Sequence, residues 1–485
     1  MLFNSIEFII FLPVVFLLYW FVFKKTSWQN ICIVVASYVF YGWWDRRFLL
    51  LIALTTLCSY LSGIGIERHE GNRRLQKAIS ALNIILNLSI LCCFKYFNFF
   101  SENLALLFKT FGYELDGFTL TILLPVGISF YTFQALSYTI DVYRRKLKAT
   151  HDPAAFFAFI GFFPQLVAGP IERATNLLPQ FSRPRTFNYG KAVDGMRQML
   201  WGFFKKVVVA DNCAIFANGI FENYDAMSGS ALFMGAFFFT IQIYGDFSGY
   251  SDIAMGCARL FGVDLMRNFS CPYFSRDIAE FWRRWHISLT TWFRDYVYIP
   301  LGGSRKGRWK SLRNTMVIFL VSGFWHGANL TFIVWGIYHA LLFIPLLLSG
   351  RNRKYRDTAA AGRLFPHFKE LLQMTLVFGL TLVGWIVFRA ESIGQATGYL
   401  KGMCSRSLFT VPVMPGIGIT RTLAATTFFF IFVLFIAEWH HREKAHGLDI
   451  NLRRQPLRYA VYLAVLLAIF LFKATEPAAF VYFQF

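Results

Sequence analysis

Long apolar segments follow one another along almost the whole chain, and short polar loops separate them. A helix needs about 20 consecutive apolar residues to cross the hydrocarbon core of a bilayer. The pattern therefore predicts an all-α integral membrane protein with about 11–12 transmembrane helices. The predicted spans lie at about 5–23, 29–44, 48–64, 79–98, 119–140, 198–218, 231–256, 313–328, 330–349, 371–390, 424–440 and 457–474.

Two further apolar segments do not fit the pattern of ordinary spans. Prolines and glycines interrupt residues 154–181, while residues 272–303 mix arginine and aspartate with clustered aromatic side chains. Broken or charged backbone at membrane depth is tolerated only inside protein or beside a water-filled cavity. We predict that both segments form interfacial or re-entrant helices on the cytoplasmic side, folded inward toward a central chamber.

The composition supports a membrane protein and narrows its partners. Of 485 residues, 56% are hydrophobic and 15% are charged, so a soluble protein could not cover its surface with polar groups. The net charge is +21, but most lysines and arginines fall in alternate short loops, whereas loops such as 99–118 are poorer in them. This positive-inside pattern predicts a multi-pass protein in a lipid bilayer with both termini external. It argues against a nucleic-acid partner, because the charge does not form one basic face.

The cysteines give no sign of a metal site. The chain has eight of them, mostly in apolar segments, and none forms a Cys-x-x-Cys pair or has a metal-ligand spacing to histidine. We therefore expect buried thiols, no metal ion and no bound cofactor.

One predicted span carries an unusual set of polar side chains, namely Gln242, Asp246, Ser248 and Asp252. On a helix these groups occupy two faces, so protein must surround the span. Gly245 and Gly249 stand four positions apart, which lets a neighbouring helix approach closely. The structural interpretation is a packing helix whose carboxylates hold neighbouring arginines. The alternative is direct contact with a substrate.

Residues 282–300 combine arginine, histidine, hydroxyl and aromatic side chains. The candidate donor-binding residues are Trp282, Arg283, Arg284, Trp285, Ser288 and Asp295, together with Trp325 later in the chain. Arginine binds phosphate through a planar fork of N–H groups, and tryptophan offers a flat stacking surface. Such a block suits the phosphates and adenine of a nucleotide-bearing donor. Alternatively, the arginines only extend to the cytoplasmic lipid headgroups.

His326 lies at the end of an uncharged apolar run, in the sequence Phe-Trp-His-Gly. An ionisable side chain at membrane depth is costly and indicates a functional site. Burial favours a neutral imidazole, which can accept the proton of a hydroxyl that attacks an activated carbonyl. The alternative is a structural histidine at a helix end. His286 is the other histidine with a comparable context, and His339 lies in the next predicted span.

Other common catalytic motifs are missing from the sequence. We find no Gly-x-Ser-x-Gly elbow, no Walker-type phosphate loop and no His-Glu-x-x-His. A histidine-centred transfer to a hydroxyl acceptor is the simplest chemistry that fits the chain.

Several long motifs occur in a characteristic order. They are 281–290 (FWRRWHISLT), 295–303 (DYVYIPLGG) and 323–327 (GFWHG), supported by 124–134, 163–171 and 244–252. Together they closely resemble the membrane-bound O-acyltransferase family, and more narrowly its bacterial alginate O-acetyltransferase branch. The resemblance covers essentially the whole chain. It implies a single domain, which we divide into N-terminal spans at 1–140, a catalytic core at 141–350 and C-terminal spans at 351–485.

The resemblance also implies a function in the bacterial cytoplasmic (inner) membrane. His326 matches the family's catalytic histidine, and His286 matches a second polar position that varies between branches. Family members take an acyl group from a cytoplasmic thioester, so acetyl-CoA or an acyl carrier is the expected donor. In this branch the acetyl group passes to a polysaccharide outside the membrane, often with periplasmic acetyltransferase partner proteins.

The sequence leaves other functions open. Peptidoglycan O-acetylation or D-alanyl transfer to teichoic acid would use the same motifs with another acceptor or acyl group. The extended C-terminal third favours the polysaccharide-acetylating branch over the D-alanyl branch. A transporter or scaffold for an acylated carrier is the non-enzymatic alternative, and it predicts that His326 can be replaced without loss of acyl transfer.

Overall fold

The computed structural model describes residues 1–113, 124–167, 169–305, 307–412, 414, 420–450, 454–474 and 480–481. These residues form helices and no strands, which confirms the all-α prediction. The α-helices are α1 (Ile6–Leu17), α2 (Thr26–Gly42), α3 (Arg47–Arg68), α4 (Arg73–Thr110), α5 (Ile128–Tyr143), α6 (Pro153–Gly161), α7 (Phe163–Leu166), α8 (Ala174–Ser182), α9 (Tyr189–Phe203), α10 (Asp211–Glu222), α11 (Gly229–Leu260), α12 (Ile278–Arg284), α13 (Ile287–Phe293), α14 (Arg308–His326), α15 (Leu330–Leu348), α16 (Phe368–Arg389), α17 (Ile393–Met403), α18 (Arg421–His440) and α19 (Gln455–Leu471). Segments of π-helix lie at Leu18–Val22, Phe204–Ala210 and Arg294–Tyr298.

The protein is a multi-pass membrane protein. In the described ranges, six helices are long and apolar enough to cross a bilayer, namely α3, α4, α11, α15, α16 and α18. Shorter apolar helices lie at Ile6–Val22, Pro153–Leu166 and Gln455–Leu471. The larger number of spans expected from hydropathy, and the external position of both termini, stay predictions.

Helix α4 corrects the predicted span at 79–98 and the predicted loop at 99–118. It has 38 residues and ends at Thr110, so it is about 57 Å long and extends well beyond a single bilayer crossing. The apolar residues after position 98 continue its helical pattern, which the hydropathy window had cut short. The rest of that loop, and the start of the predicted span at 119–140, lie outside the described residues.

One compact unit comprises Met1–Gly195 and Ala254–Met266. Within it, the amide of Asn83 on α4 donates a hydrogen bond to the hydroxyl of Thr139 on α5 at 2.7 Å, in a buried position. The interrupted segment predicted at 154–181 forms the short helices α6, α7 and α8, which end at Gly161, Leu166 and Ser182. Its interruption is therefore confirmed, while its position relative to the membrane stays a prediction.

The other unit comprises Met196–Ile253 and Arg267–Phe485 and carries the candidate site. In this unit a β-carbon on Gly249 would lie 2.8 Å from the carbonyl oxygen of Gly202, and one on Gly245 would lie 3.1 Å from that of Lys205. The predicted close approach of a neighbouring helix at Gly245 and Gly249 is thus confirmed.

The carboxylates of the same span form buried ion pairs. Lys206 Nζ lies 2.7 Å from Asp246 Oδ1 and 2.9 Å from Asp211 Oδ1, and Lys205 Nζ lies 2.5 Å from Asp252 Oδ2. The prediction that these carboxylates pair with arginines was wrong. Their partners are lysines of the π-helix Phe204–Ala210, because this segment packs against the span at Gly245 and Gly249. Gln242 and Ser248 are also buried in this unit.

The cysteines are only partly buried. Cys32, Cys213, Cys257 and Cys271 are buried, but Cys92, Cys93 and Cys404 are exposed, which corrects the expectation of buried thiols throughout. The two cysteines of α4 lie on the exposed side of a candidate membrane span, where an apolar sequence context does not imply a protein interior.

Candidate active site

The loop between α14 and α15 places His326 at the end of its helix. Helix α14 stops there because Gly327 is extended, and Asn329 caps α15 by accepting a hydrogen bond from the backbone N–H of Thr331 at 3.0 Å. A β-carbon on Gly327 would lie 2.1 Å from the ring of Phe332. Glycine after the histidine is therefore required by the close packing of this helical hairpin.

Two more glycines bring α14 and α15 together. A β-carbon on Gly323 would lie 2.2 Å from the carbonyl oxygen of Phe332, and one on Gly336 would lie 2.4 Å from the carbonyl oxygen of Phe319. Helices approach this closely only through small residues. The glycines thus fix the helix that carries His326 against the helix that carries His339.

His326 is buried among aromatic rings, with 5% of its surface exposed. Its ring centroid lies 5.1 Å from that of Trp335 and 5.2 Å from that of Phe388, in edge-to-face contacts. Aromatic rings prefer this geometry and exclude water from the contact. The structure therefore confines a titratable nitrogen base in an apolar environment.

His286 occupies the break between α12 and α13. Its backbone is left-handed (φ 43°, ψ 53°), and its Nδ1 accepts a hydrogen bond from the N–H of Leu289 at 3.3 Å, as an N-cap. Because Nδ1 accepts, the proton of the neutral ring lies on Nε2. A left-handed backbone is costly for a histidine, and such positions cluster at functional sites.

Trp325 contacts both histidines. Its ring centroid lies 6.0 Å from that of His286 and 4.9 Å from that of His326. The structure thus brings together three of the predicted site residues, although the two histidines lie forty positions apart in the sequence. Their catalytic roles stay predictions.

Arg283 and Arg284 hold a loop in place. Arg283 donates hydrogen bonds to the carbonyl oxygens of Asn352, at 2.7 Å, and Tyr355. Arg284 donates to the carbonyl oxygen of Asp357 at 2.8 Å and pairs with Glu280 at 2.9 Å. Both guanidinium groups therefore bind the backbone or an acidic side chain of this chain.

The other predicted donor-binding residues have separate surroundings. The hydroxyl of Ser288 donates to Asn268 at 2.9 Å, and Asp295 pairs with Arg294 at 2.7 Å. Trp285 is buried against Phe281, with their rings stacked at 5.6 Å. These contacts do not test a donor-binding role, which stays a prediction.

Sequence reasoning missed several residues of the site. Trp335 and Phe388 surround His326. Arg276 forms a buried ion pair with Glu280 at 3.1 Å and binds the loop through Asp357 at 3.0 Å. Trp335 resembles an ordinary apolar residue of its span. The only sequence signal for Trp335 is its spacing of four positions from His339, which places both side chains on the same face of the helix.

Fold and site together define a multi-pass α-helical membrane protein with a buried histidine at the end of a helical hairpin. The profile of the membrane-bound O-acyltransferase family (MBOAT) matches residues 75–366, which is more than half of the chain. The chain belongs to this family and is an acyltransferase.

Named relatives cover most of the chain. A probable alginate O-acetylase AlgI of Pseudomonas aeruginosa is 41% identical over 84% of this chain and 75% of the relative. A peptidoglycan O-acetyltransferase of Helicobacter pylori is 35% identical over 83% of this chain and 80% of the relative. A teichoic acid D-alanyltransferase of Bacillus subtilis is 27% identical over 55% of this chain and 69% of the relative.

Proposed function

We propose that the chain moves an acetyl group from a cytoplasmic thioester, acetyl-CoA or an acyl carrier, across the bacterial inner membrane for O-acetylation of an extracytoplasmic polysaccharide such as alginate. The observation that carries the proposal is the burial of His326 among aromatic rings at the end of α14. Similarity to alginate O-acetylases over most of the chain supports the acetyl group and the class of acceptor. Periplasmic acetyltransferase proteins are the proposed partners in delivery.

In the proposed reaction, His326 is the general base. Its neutral ring accepts the proton of a hydroxyl while the hydroxyl oxygen bonds to the thioester carbonyl carbon. The carbon–sulfur bond then breaks, and the leaving thiolate takes the proton from the imidazolium. The surrounding rings keep out water that would hydrolyse the thioester. The hydroxyl belongs to a sugar or to a serine of a partner protein.

His286 is the second proposed catalytic residue. The N-cap hydrogen bond to Nδ1 fixes the tautomer in which Nε2 carries the proton. A donor fixed in advance stabilises negative charge that develops on an oxygen in the transition state. We therefore assign it to the donor or acceptor oxygen, with His326 as the base.

The proposal gives Arg283 and Arg284 an indirect role with the donor. They hold the backbone of the loop at 351–357, from which several cationic side chains are exposed. These exposed residues are Arg351, Arg353, Lys354 and Arg356. Positive charge gathered on one fixed loop attracts the phosphates of a nucleotide thioester.

Peptidoglycan is the second candidate acceptor, because the Helicobacter pylori relative covers nearly as much of the chain. D-alanyl transfer has less support, because the matching region is about half of the chain. A transporter or scaffold without catalysis does not account for membership of an acyltransferase family.

The test is transfer of labelled acetyl from acetyl-CoA in membranes that contain the wild type, His326→Ala or His440→Ala at matched expression. His440 also ends a helix of the same unit but is exposed, so it is the matched control. We expect label on an external acceptor with the wild type and His440→Ala only. Equal transfer by His326→Ala would remove this residue from the mechanism. An acetyl intermediate trapped on another residue would contradict the assignment of the base.

A further inference from the structure

His339 is the most deeply buried histidine near the site, with 0% of its surface exposed. Its ring centroid lies 5.0 Å from that of Trp282 and 5.0 Å from that of Trp335. Neither Nδ1 nor Nε2 has a hydrogen-bond partner in the part of the chain that the structure describes. Because a neutral imidazole has one donor and one acceptor, both capacities are unused.

The two tryptophans share this property. The indole nitrogens of Trp282 and Trp335 are buried and have no hydrogen-bond partner among the described residues. The two indoles contact each other at 5.6 Å, so Trp282, Trp335 and His339 form a cluster of three rings in mutual contact. Trp335 also contacts His326 at 5.1 Å, which places this cluster directly beside the proposed base.

Gly384 on α16 lies close to one nitrogen of His339. A β-carbon at this position would lie 2.7 Å from Nε2. Any side chain here would therefore press on the polar edge of the ring.

Packing alone does not account for the cluster. Buried polar groups are nearly always hydrogen-bonded, and each one that is not lowers the stability of the fold. Phenylalanine in place of His339 would keep an aromatic ring there without that cost. Residues that break such a rule are expected where they serve a function.

We propose that Trp282, Trp335 and His339 form a subsite that hydrogen-bonds the carbonyl oxygen of the acyl group beside His326. The cluster offers three N–H donors and one acceptor, which suits an oxygen that accepts hydrogen bonds rather than a hydroxyl that donates one. That oxygen gains negative charge when the acceptor hydroxyl attacks, and preorganised donors then stabilise the transition state. The inference rests on the proposed function and names the group that binds beside its base.

The test compares full-length wild type with His339→Phe and Gly384→Ala, and uses Gly379→Ala as control. Gly379 lies on the same helix, and a β-carbon added to it would have nothing within 4 Å. With acetyl-CoA as donor, we expect the kcat of His339→Phe to fall roughly 100-fold with little change in KM, as for loss of one oxyanion donor. We expect Gly384→Ala to lower kcat and Gly379→Ala to leave it unchanged. Wild-type kcat in His339→Phe would overturn the proposal.

A second measurement, the thermal unfolding of the same proteins in detergent, needs no donor. We expect the Tm of His339→Phe to be at least that of the wild type, and up to about 2–4 °C higher. The substitution removes two buried ring nitrogens that have no hydrogen-bond partner among the described residues. A lower Tm would show that the nitrogens stabilise the fold, and would overturn the subsite. The Tm comparison does not depend on acetyl-CoA. If the wild type does not use acetyl-CoA, the proposed function fails but the subsite can still be tested by the Tm values.

Discussion

Gly336 packs directly against the backbone of Phe319: a β-carbon at position 336 would lie 2.4 Å from the carbonyl oxygen of Phe319. Gly336→Ala therefore forces α14 and α15 apart, and we expect a loss of stability of about 1–3 kcal/mol from overpacking. Acyl transfer should fall as well, because His326 ends one of the two helices. Thermal unfolding in detergent and labelled-acetyl transfer measure the two effects. Gly379→Ala, which adds a methyl group in open space, is the control. Equal stability of the two variants would contradict this packing.

Lys206 lies between two buried carboxylates, those of Asp211 and Asp246. Lys206→Met leaves both without their cation, and we expect a loss of about 3–5 kcal/mol, as for breaking a buried pair. Lys191→Met removes the partner of Asp264 in a pair whose side chains are about half exposed, and should cost about 0.2–1 kcal/mol. Chemical denaturation of both variants gives the comparison. Similar losses would show that the buried pair contributes no more than the exposed one.

Glu172 predicts a pH dependence of stability. Burial raises the pKa of Glu172 to about 7, although Asn176 and the N–H of Met266 donate hydrogen bonds to it. The folded state therefore binds the proton more tightly than the unfolded state. The contribution of Glu172 to the free energy of unfolding is complete below about pH 4.5 and is lost as the pH rises through about 7. Between about pH 5 and pH 8, the Tm of wild type should decline more steeply than that of Glu172→Gln. Parallel slopes would exclude this group as the cause.

Arg283 binds the backbone of the basic loop at 351–357 and should limit its cleavage by trypsin. Arg283→Lys keeps the charge and the number of trypsin sites but loses the forked pair of donors to Asn352 and Tyr355. We expect faster tryptic cleavage after Arg351 and Arg353, measured by mass spectrometry. Arg294→Lys changes an arginine that pairs with its neighbour Asp295, and should leave the cleavage rate as in wild type. An unchanged rate in Arg283→Lys would mean that the loop is held by other contacts.

Substitutions of His286 can separate its structural role as an N-cap from its proposed catalytic role. Asparagine tolerates a left-handed backbone and is a good N-cap, so His286→Asn should keep the Tm near that of wild type. It lacks the imidazole N–H donor, and we expect acyl transfer to fall by about 10²–10³-fold. His286→Ala should in addition lose about 1–2 kcal/mol of stability. Full transfer by His286→Asn would restrict this residue to capping.

The sequence predicted the features that depend on local pattern. Apolar runs marked the membrane helices, and the spacing of Gly245 and Gly249 marked a close helix contact, which the structure places at Gly202 and Lys205. Hydropathy did not reveal that α4 continues to Thr110, because polar residues between the apolar ones in its second half lower the mean hydropathy. A window of fixed length ends a helix where hydropathy falls, not where the hydrogen bonds stop.

The site depended on contacts that no local pattern contains. His286 and His326 were found from their motifs, but Trp335, Phe388 and Gly384 come from tertiary packing around them. The partners of Arg283 were also hidden, since they are backbone carbonyl groups some seventy residues away. A backbone acceptor has no sequence signature, so an arginine that binds one resembles an arginine that awaits a ligand.

The π-helix at Phe204–Ala210 bears on how the length of this segment can differ between homologous proteins. A π-turn contains one residue more than an α-turn, and here it lets Lys205 and Lys206 reach different carboxylates although they are adjacent. Deleting one residue would restore a regular α-helix and leave α10 close to its present orientation, because the extra residue is confined to the π-turn, but it would move Lys205 and Lys206 relative to their carboxylates. A homologous sequence with a one-residue gap in this stretch should therefore keep the packing of α10 but lack this arrangement of buried ion pairs.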